Sequence, residues 1–429
     1  MSDRDNTAAD SKQANRPTTR RTALKTVALS TGAVMLSAVT AAKQSEGDDD
    51  ETVSILSEEP KVHQKIRGTY EDPITSETIK ETRDSIIEGY TNTTEQLLLK
   101  PQQAFEADRI VAYNVVLEEN GRPKEQYVTS SGPNRSGSRD ERSEDEERIR
   151  ARTTRMHERA DAMLEDVLKG KSKTKTTDDA TAEDWDVDFG DWSYFGGSSI
   201  YHHFDEAGGI ADNPRPGGVD FDITIRKDED EQRIGARTFM RFEAGRELCN
   251  DGHDEYCIDG TVHTGMRNKK AVIKQDWDKG ANGVSTEDLL TGVDPTNDLD
   301  DTTTSRQASI GLDLSRDPGL SVGYSSGVTL PEASLTDRTT MPSGFSHHEF
   351  EVNSSDGDSA KYSAEIEVGS AARYDFSQCD EGTHPVPDPI DVVEIDIEEI
   401  EWGLRLPGTG WVNTHSDDRQ FTYSRTCYL

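Results

Sequence analysis

The sequence predicts an α+β protein that is mainly β, with a helical N-terminal region followed by an antiparallel β-sandwich or barrel-like domain. Three observations carry this. From Trp185 to the end, short runs alternate apolar and polar residues, the period of a strand with one buried face. Clusters of Gly, Asp and Asn separate the runs, as turns do between the short strands of a sandwich. Helical spacing of apolar residues appears in two stretches, both before Gly170. No repeat of fixed period is visible, which argues against a solenoid or propeller.

Taken in order, residues 1–42 read as an export signal. Arg20, Arg21 and Lys25 lie in a basic stretch that ends where the apolar run from Thr26 to Ala42 begins. That run is too short and too rich in Ser, Thr and Gly to anchor in a bilayer. Residues 43–130 form a small helix-plus-hairpin region. Its helix runs from Thr75 or Ser76 as cap to about Tyr90, with Ile79, Ile86, Ile87 and Tyr90 as its stripe. Arg109 to Leu117 and Glu125 to Thr129 make a hairpin around Glu119-Asn120-Gly121-Arg122. Residues 131–147 are a linker, 148–170 an amphipathic helix and 171–184 a second linker. The helix carries Met156, Ala160, Met163, Leu164 and Val167 on one face. Its other face balances Arg against Glu, so packing on the body or a partner suits it better than a membrane surface.

Residues 185–429 are the β-rich domain. Phe221, Ile223 and Ile225 alternate, and Ile234 to Cys249 with Tyr256 to Val262 reads as a hairpin. Ile310, Leu312, Leu314 and then Leu320, Val322, Tyr324 alternate within a Ser/Thr/Gly-rich stretch. Ile395 and Ile397 slip phase into Ile400 and Trp402, which predicts a bulge.

The chain holds 84 acidic against 48 basic side chains, a formal charge of −36, and the part after residue 42 carries −39. This excess is spread along the sequence. It keeps a surface hydrated where salt screens the repulsion, and it opposes nucleic-acid binding. Paired arginines ahead of an apolar run, together with this composition, resemble the exported haloarchaeal proteins that leave by the twin-arginine route. The resemblance implies an extracellular protein working in high salt, secreted already folded.

Four cysteines, Cys249, Cys257, Cys379 and Cys427, fit two disulfides in an exported chain. Pairing Cys249 with Cys257 and Cys379 with Cys427 is favoured by hairpin geometry. Sequons at Asn92, Asn134 and Asn353 mark glycosylation acceptors. No cofactor is expected. The one candidate metal is a structural Ca²⁺ in the acidic loop of Asp294, Asp298 and Asp300, where oxygen ligands cluster. The EF-hand spacing fails from Asp184, since Phe189 and Phe195 stand where Gly and Glu belong. Gly323 to Gly327 matches a nucleophile elbow, yet a strand-like piece follows it rather than a helix. His202-His203 and His347-His348 read as surface or capping histidines. Trp185, Trp192 and Tyr194 belong to an aromatic cluster that suits a core better than a sugar-stacking platform.

Function is expected to be non-enzymatic: binding or interaction at or outside the cell surface, with an extracellular partner or a surface glycan. Two alternatives stand beside it. A halocin-like or pore-forming toxin would use Ser305 to Thr329 as an amphipathic hairpin, and only then is membrane contact expected. An extracellular hydrolase would need a convergent catalytic set, and no such set is visible.

Overall fold

The fold is built around the hairpin that Asn120-Gly121 nucleates, in a computed structural model of the chain. It describes residues 62–90, 95–131 except 107 and 119, 142–169, 192–204, 217–245, 266–278, 289–294, 333–339, 344–352, 360, 363–376, 389–405 and 411–427. Gly121 takes φ 75° and donates its N–H to Glu118 O at 2.8 Å, while Asn120 Oδ1 accepts from Arg122 N at 3.1 Å. Side-chain and glycine chemistry thus turn β3 (Arg109–Leu117) into β4 (Pro123–Ser130).

Ahead of it lie β1 (His63–Arg67), α1 (Ser76–Tyr90), β2 (Glu95–Leu99) and the single turn α2 (Pro101–Ala104). After it come α3 (Arg142–Leu168), β5 (Ser193–His203), β6 (Gly217–Asp228), β7 (Arg233–Ala244), β8 (Arg267–Asp276) and β9 (Leu290–Asp294). The chain continues with β10 (Ala333–Asp337), β11 (Phe345–Val352), β12 (Ser363–Arg373), β13 (Ile390–Arg405) and β14 (Trp411–Cys427).

The strands form two sheets, one ordered β1-β3-β4-β5-β6-β7-β12-β9 and the other β10-β11-β8-β13-β14-β2. Neighbours are antiparallel apart from β4 and β5, which are parallel. Parallel neighbours require a crossover, and α3 lies within that connection. One continuous core unites the sheets: Ile200, Phe221, Met240, Phe242 and Ile366 from the first join Ile273, Ile395, Ile397, Trp402 and Phe421 from the second. Each such side chain contributes roughly 1.5–3 kcal/mol on burial, enough in sum to oppose chain entropy. β6, β7 and β12 carry the pattern expected of a sandwich, with Phe221, Ile223 and Ile225 inward and Asp220, Asp222 and Thr224 between them.

Both helices are explained by local chemistry. Thr75 Oγ1 accepts the Thr78 N–H at 3.2 Å as the cap of α1, and Ile79, Ile86 and Ile87 enter the core. Helix α3 buries Met156, Ala160 and Met163 with Val128 and Tyr201 in a second apolar cluster. Tyr113 and Tyr127 of the same hairpin point into the main core, so α3 covers the opposite face. The docking is also polar: Asn114 and Gln126 donate to Ala160 O and Met163 O at 2.8 Å each.

The structure differs from expectation at four points. Helix α3 begins at Arg142, inside the stretch 131–147 read as a linker, because Glu144, Asp145, Glu146 and Glu147 place negative charge in its first turns, where the helix dipole favours it. The hairpin of region 43–130 is continuous with the later sheet, since β4 offers an edge that β5 joins, and residues 52–429 form one compact unit. Strand β7 ends at Ala244, short of Cys249. Strands β1, β2, β8, β9, β10 and β11 were not foreseen, and Asp294, read as part of an acidic loop, closes β9. The slip from Ile397 to Ile400 is a true register shift against β14.

Candidate functional site at the seam between the sheets

The interior contains polar ties that cross from one sheet to the other. Gln275 on β8 donates to Thr238 Oγ1 on β7 at 2.9 Å, and Trp277 Nε1 reaches Ser370 Oγ on β12 at 2.8 Å. Asn268 Nδ2 and Trp402 Nε1 donate to the carbonyls of Phe242 and Glu243 at 3.0 and 3.2 Å. Ser198 bonds Tyr423 across the same gap. A buried polar group without a partner is costly, so such ties fix the relative placement of the sheets as well as holding them.

Two ionic clusters anchor this seam. In the first, Arg419 on β14 points toward β5 and the turn before β3. Its guanidinium donates to Asp108 Oδ2 at 2.9 Å and to His202 Nε2 at 2.8 Å, and it forms an ion pair with Asp417 Oδ2 at 2.6 Å. The other ring nitrogen of His202 lies 2.7 Å from Thr129 Oγ1 and 3.5 Å from Asp108 Oδ2. Phe204 stacks edge-on against the imidazole at 4.4 Å. Burial, with Arg419 beside it, holds the His202 pKa well below the ordinary histidine value. Burial also raises Asp108, against the pull of Arg419, and lifts Asp417 to about 6.

The second cluster gathers three cations on Glu95 of β2. Lys227 Nζ lies 3.0 Å and Arg122 Nη2 3.9 Å from Glu95 Oε2, and Arg425 pairs with the other oxygen. Aromatic faces cover the cations: Arg122 and Lys227 stand 4.6 and 4.8 Å from the Phe195 ring, and Arg425 stands 5.4 Å from Tyr374. Burial lowers the Arg122 pKa from its usual value.

Of the residues singled out from the sequence, Tyr194 lies on β5, where its hydroxyl donates to Pro123 O at 3.3 Å and burial raises its pKa well above the usual value. Trp192 is half-buried, with the Arg233 guanidinium 5.8 Å from its ring centre. Asp294 closes β9 opposite Gly369, and Cys427 closes β14 opposite Glu95. Trp185, Cys249, Cys257, Cys379, Asp298, Asp300, Asn92, Asn134, Asn353, the export signal and the stretch 305–329 lie outside the described residues. His202, His203 and His348 are buried, 1%, 7% and 0% exposed, which corrects their reading as surface or capping histidines, while His347 keeps 27% of its side chain exposed. The flanking Tyr201 and Phe204 are the signal in the sequence that His202 and His203 belong to a buried strand. Asp108 and Arg419 gave none. Among the described residues no group of three or more His, Cys, Asp or Glu side chains is placed to hold a metal ion, and no helix is long and apolar enough to cross a membrane.

No protein-family model matches the chain, and no curated protein matches it. Solved structures it is similar to include the delta-toxin of Clostridium perfringens, at 10% identity over 53% of this chain and 89% of that one, TM-score 0.25. A pore-forming protein matches at 12% identity over 53% and 88%, TM-score 0.20. The membrane-inserted form of the Clostridium perfringens NetB toxin matches at 11% identity over 53% and 92%, TM-score 0.21. TM-scores this low carry no argument about fold or function.

Proposed function

We propose that this is an exported, non-enzymatic protein that acts by interaction at or beyond the cell surface, and that the surface it meets is a lipid bilayer. One observation carries the reading. Residues 295–332 connect β9 to β10, which among the described residues stand at the ends of the two sheets. A strand at a sheet edge is paired on one side alone, so pairing beside it undoes no interior strand. The sequence of the connection alternates through Ile310, Leu312 and Leu314 and again through Leu320, Val322 and Tyr324. A spanning strand needs only about 9–11 residues of such weak alternation, so the stretch is long enough for a hairpin. The acidic excess disfavours anionic lipid, which makes neutral headgroups the favoured surface.

The test is dye release from phosphatidylcholine vesicles in molar KCl. Release that vanishes when Ile310, Leu312 and Leu314 are all replaced by Asp, with an unchanged circular dichroism spectrum, supports the proposal. Co-sedimentation with vesicles without release retains surface binding and defeats insertion. Neither release nor co-sedimentation defeats the bilayer as the target.

A further inference from the structure

A guanidinium has N–H donors and no acceptor, so the 2.8 Å contact from Arg419 Nη2 requires His202 Nε2 to be the bare, accepting nitrogen. The proton of the neutral ring therefore sits on Nδ1, facing Thr129 Oγ1 and Asp108 Oδ2. We infer that His202 and Arg419 form a pH-sensitive latch between the sheets: a proton on Nε2 places two N–H donors and two positive charges face to face and forces β14 away from β5.

Every element around the ring contributes to the balance. The turn before β3 supplies Asp108, β4 supplies Thr129, β5 itself supplies His203, and β14 supplies His415, Asp417 and Arg419. The carboxylate of Asp108 contacts both Arg419 and the Nδ1 side of the ring, so it holds the tautomer as found; its charge would also favour a protonated ring, and burial together with Arg419 outweighs it. His203 and His415 add positive charge on acidification and oppose protonation of His202 further.

The folded pKa of His202 lies below its unfolded value of about 6.5, so below that pH the unfolded chain binds the extra proton and stability falls. Asp417, raised to about 6, and Asp108 act in the opposite sense between about 6 and about 3.9, because there the folded state holds their protons more readily. The latch is therefore isolated by comparing the protein with a variant that keeps the acceptor and cannot be protonated.

His202→Gln does this, since its amide oxygen can accept from Arg419. Urea unfolding of both proteins from pH 7.5 down to pH 5, at constant molar salt, is the experiment. Below pH 6.5 the folded-to-unfolded ratio of the native protein should fall relative to the variant by up to tenfold per pH unit. Parallel curves overturn the latch. Should the variant not fold, ¹⁵N shifts of the imidazole in the native protein decide it. A neutral ring protonated at Nδ1 at pH 5.5 supports the latch, and an imidazolium with β14 still seated on β5, or a neutral ring protonated at Nε2, refutes it.

Discussion

Replacing Arg419 with methionine keeps most of the side-chain volume and removes the charge that holds the seam at its first cluster. The cost follows from what is left behind. Asp108 is only 2% exposed and loses the charge of Arg419, while Asp417 is 24% exposed. Breaking a buried ion pair by removing one partner costs about 3–5 kcal/mol, because the other charge stays desolvated. Asp108→Asn alone should cost about 1.5–3 kcal/mol, the worth of a hydrogen bond to a charged group. In the double variant no carboxylate is stranded, so its cost should fall below the sum of the singles by about 1–3 kcal/mol. Urea unfolding at neutral pH in molar salt measures all four proteins. Additivity within about 0.5 kcal/mol, or a single Arg419 variant as stable as the parent, would refute the argument.

Other outcomes follow from the same chemistry. A Cβ at Gly196 would lie 2.6 Å from Leu97 O, where β2 of one sheet passes over β5 of the other, so Gly196→Ala should destabilise by about 1–3 kcal/mol; an unchanged melting temperature removes that close approach. Replacing Arg20 and Arg21 with Lys should hold the precursor inside the cell, and undiminished secretion defeats twin-arginine export. With −39 charges after residue 42, the melting temperature should drop as molar salt is diluted, and a melt that stays put means the carboxylates are not repelling one another as supposed.

What could be read from the sequence was local. Thr75 with the isoleucine stripe of α1, Asn120-Gly121 between β3 and β4, and the phase slip at Ile397 each encode their structure within a few residues. β8 escaped because it is an interior strand whose inward residues include Asn268 and Gln275, so its pattern does not alternate by polarity. β11 hid for a related reason: its buried face includes Ser346 and His348 beside Phe350 and Val352. The parallel pairing of β4 with β5 is a matter of topology that no residue announces. The latch was invisible too, since His202 and Arg419 lie 217 residues apart and each, read alone, resembles a surface residue. Only packing turned them into partners.

The claim that the 295–332 connection meets lipid as strands has one direct measurement. An environment-sensitive fluorescent amino acid is introduced singly at positions 310 to 315, and its emission is followed as phosphatidylcholine vesicles are added in molar KCl. A strand in a bilayer presents alternate residues to lipid, so emission should shift to the blue at 310, 312 and 314 and stay unchanged at 311, 313 and 315. No vesicle-dependent shift at any of the six, or a shift without alternation, contradicts the account.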